Sequence, residues 1–188
     1  MSTGSDFLER LRLPGQPLAN PDSTLVCGNV RFSLLTARLI RLDAIAYMWK
    51  EIGTTCIHLP QVHRAVKLFR DVFVAAAALS GRPEVAMITE TNVPHEENVS
   101  YFGQGDEAHM VYNFALPPLV LHAFYREDAT YLSNWAQDLE YVSGTTTFLN
   151  MLDTHDGVGL MGARNILPIE EIDFLIEKAK EHGAFISY

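Results

Sequence analysis

Short, nearly unbroken apolar runs alternate along this chain with longer segments whose apolar residues recur at helical spacing, and few folds accept that alternation. Leu39-Ile40-Arg41-Leu42-Asp43-Ala44-Ile45-Ala46-Tyr47 reads as one buried strand, followed by a loop containing Gly53 and Pro60. From Val62 to Ser80, apolar Val66, Phe69, Val72, Phe73 and Ala76 fall on one helical face, and Gly81-Arg82-Pro83 ends that helix. Val85 to Thr89 is the next strand, and a long polar loop runs from Asn92 to Ala108. Met110 to Leu116 forms a third strand closed by Pro117-Pro118. Leu119 to Phe124 and Tyr131 to Tyr141 then read as helices, the second with Ser133 as a candidate cap. Thr146 to Leu152 is a fourth strand, and Ile169 to His182 closes the pattern as an amphipathic helix between Pro168 and Gly183. Continuous apolar strands suit a parallel sheet covered on both faces, and strand-helix alternation argues a parallel α/β design.

Acidic residues recur where these strands give way to loops. Asp43 follows Leu42, Glu90 follows Thr89, and Asp156 lies in Leu152-Asp153-Thr154-His155-Asp156-Gly157. In a parallel α/β barrel such strand ends converge on one face, where catalytic side chains collect. Four strand-helix units make half of an eight-stranded barrel, which typically needs about 250 residues; the chain has 188. Pattern alone leaves two readings open: a self-contained α/β domain of four or five strands, or part of a longer barrel. Any one of these acids by itself is more often a helix cap or a solvated loop charge than a catalytic group.

Composition removes several functions. The net charge is −9 and the pI near 5.2, with Lys and Arg scattered, so no cationic surface for a phosphate backbone is formed. Nucleic-acid binding is therefore not expected. Cys27 and Cys56 give no disulfide framework, and neither they nor His58, His63 and His95 show a metal-ligand spacing. Met1 to Asp6 lacks the basic and apolar regions of a secretion signal, and Val72 to Leu79 is too short to span a membrane. A cytoplasmic setting with no membrane partner is the expectation. Gly157-Val158-Gly159 with Gly162 imitates a dinucleotide fingerprint, but no convincing helix start follows. Tyr101, Phe102 and Tyr112 read first as packing residues rather than sugar platforms.

The acidic segments also carry a resemblance. Arg41-Leu42-Asp43-Ala44, Ile88-Thr89-Glu90-Thr91-Asn92 and Thr154-His155-Asp156-Gly157 resemble, in order, the second, third and fourth motif regions of the α-amylase superfamily, glycoside hydrolase family 13. RLDAIAYMWKEIG from Arg41, ITETNVPHEENVSYF from Ile88 and LDTHDGVG from Leu152 narrow the likeness to its sucrose phosphorylase branch. That branch includes sucrose, sucrose-6-phosphate and glucosylglycerate phosphorylases. The resemblance runs from about Arg38 to Tyr188. It implies an α/β fold that is part of a (β/α)8 TIM barrel, about four strand-helix units from the middle to late strands, without the first and last.

The family's first motif region, an Asp followed by Asn-His, is absent from the sequence. Leu18 to Asp22 resembles the loop before the helix leading into the Arg41 strand, but Ser23 to Thr36 is rich in β-formers and interrupted by Gly28. Residues 1–37 are accordingly expected to be a diverged or artefactual segment, and residues 38–188 the partial barrel.

Retaining glycosyl transfer needs a carboxylate nucleophile and a carboxylic acid about 5–5.5 Å apart, flanking the scissile bond. By resemblance Asp43 is the nucleophile, Glu90 the general acid and base, and Asp156 the stabiliser of the oxocarbenium-like transition state. Arg41 and His155 would bind substrate, Arg41 by orienting Asp43 and His155 by donating to a sugar hydroxyl. The implied reaction is reversible phosphorolysis of an α-glucoside to α-glucose 1-phosphate, with inorganic phosphate as co-substrate and no metal or organic cofactor. An α-glucosidase or transglucosylase of the same superfamily, and an inactive truncated remnant, remain alternatives. The acceptor and the oligomeric state are not legible.

Overall fold

The computed structural model describes residues 38–139 and 142–187 with their side chains, and the backbone of 24–27 and 30–33. Strands β1 (Thr24–Cys27) and β2 (Val30–Ser33) pair antiparallel as a separate two-stranded sheet. The expectation of a diverged segment over 1–37 otherwise lies outside the described residues.

The main sheet has β3 (Leu39–Leu42), β4 (Ala86–Thr89), β5 (Met110–Tyr112) and β6 (Thr147–Leu149), all parallel and in consecutive order. That order is the arrangement of a run of neighbouring strands in a (β/α)8 barrel. Among the described residues β3 and β6 each pair on one side only.

Side-chain alternation sorts each strand into two faces. Ile40, Leu42, Met87, Val111 and Phe148 face the helices and join one apolar core with Val62, Val66 and Phe73. Arg41, Ile88, Met110, Tyr112 and Leu149, one residue out of phase, face the other way. β4 is the buried middle of the sheet, with Met87, Ile88 and Thr89 at most 1% exposed. β3 differs from the expected buried strand: among the described residues it is an edge, and Leu39 is 46% exposed.

The main helix α1 (Pro60–Ser80) starts on Pro60, whose missing N–H costs nothing in a first turn. It ends at Gly81, which takes the left-handed conformation, φ 62°, that such a stop requires. The expected loop after β4 contains a short helix α2 (His95–Val99) and a 3-10 turn at Ser100–Phe102, with Tyr101 and Phe102 buried as packing residues. α3 (Leu116–Arg126) takes Pro117 and Pro118 into its first turn, so the third strand ends earlier than its apolar run does. α4 (Thr130–Gln137) is not capped by Ser133, which lies inside it. Instead Thr130 donates its N–H and hydroxyl to Asp128 Oδ1, at 2.8 and 2.5 Å.

A second core joins α3, α4 and α5 (Ile169–Glu181) through Leu119, Trp135, Leu167 and Leu175. Arg126 binds Glu171 through two nitrogens, at 2.8 and 3.0 Å, and lies 3.6 Å over the Phe174 ring. His122 adds a contact to the same carboxylate at 2.7 Å. Arg126 first, and His122 with it, hold the Glu171 carboxyl below the usual glutamate range. No helix among the described residues is long and apolar enough to cross a membrane.

Two glycines after β6, Gly159 and Gly162, have a packing role. A Cβ on Gly162 would lie 2.3 Å from the carbonyl carbon and oxygen of Phe114, so the loop can meet the start of α3 only without a side chain. Gly162→Ala is expected to cost about 1–3 kcal/mol, as overpacking against an immobile neighbour does. Urea unfolding at unchanged slope measures it; wild-type stability would refute this close approach.

Candidate active site

The site is built at the carboxyl ends of the four parallel strands. β3 and β4 pair with Arg41 opposite Ile88 and Leu42 opposite Thr89, and the pairing continues as the Glu90 N–H donates to the Leu42 carbonyl at 2.9 Å. Arg41 and Glu90 thereby lie on the same face of the sheet, away from α1. Directly after β3 the chain turns sharply: Ala44 has φ 46°, a strained value for alanine. The turn aims the Ala44 N–H at Glu90 Oε2, 3.0 Å away, and the Ile45 N–H at the Glu90 carbonyl, 3.3 Å away. The run expected to be one long strand to Tyr47 is thus broken after Leu42, and the break supplies donors to Glu90.

Arg41 joins two of the acids. Its Nη1 meets Asp43 Oδ1 at 2.5 Å and its Nη2 lies 3.5 Å from Glu90 Oε2. Partial desolvation works to lower the guanidinium pKa, but Glu90 and then Asp43 outweigh it and raise it above the ordinary arginine value. The cation is permanently charged here. The loop after β6 brings the third acid. Its Thr154 hydroxyl accepts the Asp156 N–H at 3.2 Å and donates to the Gly157 carbonyl, closing a tight turn. His155 Nε2 and Asp156 Oδ2 stand 3.3 Å apart.

Arg41, Glu90, His155 and Asp156 line one cleft of about 230 Å³, together with Tyr112 and Thr154. Asp43 stands at the rim, tied to Arg41, with its side chain 70% exposed. Glu90 is the enclosed acid at 15% exposure, whereas His155 and Asp156 are 75% and 72% exposed. Tyr112, read from the sequence as a packing residue, and Thr154, which the fourth motif contains without a role assigned to it, also line the cleft. The signal for Tyr112 was its place in β5, in phase with the inward-facing residues of the neighbouring strands. A larger cavity of about 590 Å³, between α2, α4 and Phe148, contains none of the five predicted site residues. Size does not identify the chemistry here; converging charged groups do.

Comparisons with known proteins find relatives over most of the chain. The glucosylglycerate phosphorylase of Spirochaeta thermophila is 55% identical over 152 residues, covering 81% of this chain and 25% of that protein. The sucrose phosphorylase of Agrobacterium vitis is 30% identical over 156 residues, covering 79% of this chain and 29% of its own length. The crystal structure of sucrose 6F-phosphate phosphorylase from Thermoanaerobacter thermosaccharolyticum superposes with a TM-score of 0.64 at 22% identity. That match covers 80% of this chain and 28% of the other, and it establishes the shared barrel fold. No protein-family model matches the chain. The chain spans about a quarter of the length of these curated relatives.

An exposed ion pair contributes about 0–1 kcal/mol to stability, so Arg41→Gln should lower the unfolding free energy by less than about 1 kcal/mol. A loss of several kcal/mol in chemical denaturation would make Arg41 a structural residue rather than a site residue.

Proposed function

This chain is a partial member of the sucrose and glucosylglycerate phosphorylase branch of the α-amylase superfamily, and from that premise we propose that its site serves retaining α-glucosyl transfer to and from phosphate. The observation that carries the reading is the bridge of Arg41 between Asp43 and Glu90, beside His155 and Asp156 in one cleft. Two carboxylates serving one anomeric centre is the arrangement that double displacement requires.

In the proposed reaction Asp43 attacks the anomeric carbon and forms a β-glucosyl ester as the glycosidic bond breaks. Glu90 gives its proton to the departing acceptor oxygen. Phosphate then enters, loses a proton to Glu90, attacks the same carbon and releases α-glucose 1-phosphate with Asp43 restored. Glu90 Oε2 already accepts from the Ala44 N–H and faces Arg41, so Oε1 is the oxygen that carries the transferable proton. Arg41 orients Asp43 by a charge-assisted hydrogen bond. Asp156 opposes the positive charge that develops on the ring, and His155 donates to an adjacent hydroxyl. The reaction as written uses no metal or organic cofactor, and a cytoplasmic setting belongs to the same reading.

The higher identity to a glucosylglycerate phosphorylase than to a sucrose phosphorylase, 55% against 30%, supports glycerate over fructose as the acceptor. One observation favours a second reading, an inactive remnant: Asp43, His155 and Asp156 are open to water, whereas a phosphorylase must keep water from its glucosyl ester.

Phosphate release from α-glucose 1-phosphate, with glycerate or fructose supplied, decides between them. Glycerate-dependent release is expected, and release without any acceptor would indicate a hydrolase. Absence of release under all conditions would establish the remnant. Asp43→Asn should cut any turnover by about a thousandfold or more, since loss of a nucleophile removes the covalent route; normal turnover would remove Asp43 from that role. Glu90→Gln should slow transfer from poor leaving groups far more than from activated aryl glucosides, and equal slowing would exclude the acid role.

A further inference from the structure

We infer that Tyr112 is a positioning residue of this site: its ring face holds the Arg41 guanidinium, and so fixes the cation that joins Asp43 to Glu90. The carbon at the centre of the guanidinium lies 5.7 Å from the Tyr112 ring centroid, within the range of a cation–π contact. Arg41 reaches across β4 to make it. The contact involves the planar cation that also meets both acids, so movement of the ring would be felt at two carboxylates together.

Tyr112 is itself held from three directions. Its backbone pairs in register with Leu149 of β6. Its carbonyl accepts a 2.6 Å hydrogen bond from Nδ2 of Asn98, which is 2% exposed. Its ring stacks on Phe114, with centroids 5.8 Å apart and planes inclined by 24°, and Phe114 is 6% exposed. Arg41 is thus in contact with a ring that is itself packed on the buried Phe114. A long, flexible cation bonded only to exposed Asp43 would sample many rotamers; a ring fixed in this way limits them before a substrate arrives. The aromatic face, rather than the hydroxyl, does the holding.

The kinetic consequence rests on the proposed transfer reaction, but the placement of Arg41 does not, and the test separates the two. In the full chain, the Arg41 Hδ and Nε–Hε resonances should be displaced upfield by the ring current of residue 112. The displacement should persist in Tyr112→Phe and vanish in Tyr112→Leu, which fills similar space without a π face. Turnover of α-glucose 1-phosphate should fall about tenfold or more in Tyr112→Leu through kcat, as a misplaced group near the reacting centre does, and recover in Tyr112→Phe. An undisplaced Arg41 in wild type, or an unchanged displacement in Tyr112→Leu, would overturn the inference. Loss of the displacement in Tyr112→Phe would overturn it as well. Should wild type show no turnover, the transfer reading fails while the resonances still decide the position of Arg41.

Discussion

The site depends on the parallel register of β3 against β4. With Arg41 opposite Ile88 and the Glu90 N–H on the Leu42 carbonyl, two oppositely charged side chains emerge on one face, Glu90 two residues further along its strand than the level of Arg41. A slip of one residue would turn Glu90 toward α1 and the apolar core. The register is protected because Met87, Val62, Val66 and Phe73 pack on the helix side, where a slipped strand would have to bury charge. The apolar core thus orients the acids without touching them.

The turn that follows is strained. Ala44 adopts φ 46°, which an alanine accepts only where neighbouring contacts repay it. Those contacts are identifiable: the Ala44 and Ile45 N–H groups both reach Glu90, and the Ala46 N–H reaches the Thr91 hydroxyl at 3.3 Å. The turn converts what would have been one long strand into a frame around Glu90. It also throws Asp43 outward to the rim, where Arg41 is its partner. The second core, through Arg126, Glu171 and Phe174, fixes α5 against α3. With Gly162 seated on the backbone of Phe114, it anchors the far end of the loop that carries His155 and Asp156.

Much of this was legible from residue order. The four parallel strands, α1 with its Gly81 stop, α5 between Pro168 and Gly183, and the three acidic strand ends follow from apolar periodicity and turn chemistry, which are local. The strand ends were less legible. Apolar composition runs through Tyr47 and to Leu116, but pairing stops at Leu42 and Tyr112, because backbone turns and prolines end a ladder whatever the side chains prefer. The helix α4 starts before Ser133, and its first residue, Thr130, donates to Asp128 instead. Gly159 and Gly162, part of the discounted imitation of a dinucleotide fingerprint, are points of close approach, to Asn92 and to Phe114. Only the neighbouring segment distinguishes those meanings.

By itself the sequence determined which residue types stand at the ends of which strands, and therefore the kind of chemistry available: paired carboxylates, an arginine two residues before one of them, and a histidine beside the third. Tertiary structure alone decided their relations. It placed Glu90 in the enclosed position and Asp43 at the rim, made Arg41 the link between them, and brought Tyr112 from packing candidate to cleft wall. The physical reason is range. Periodicity and turn propensity act over a few residues of chain, whereas the contacts from Arg41 to Glu90 and Tyr112 close over 49 and 71 residues (90 − 41 and 112 − 41), and only the folded sheet brings them within reach.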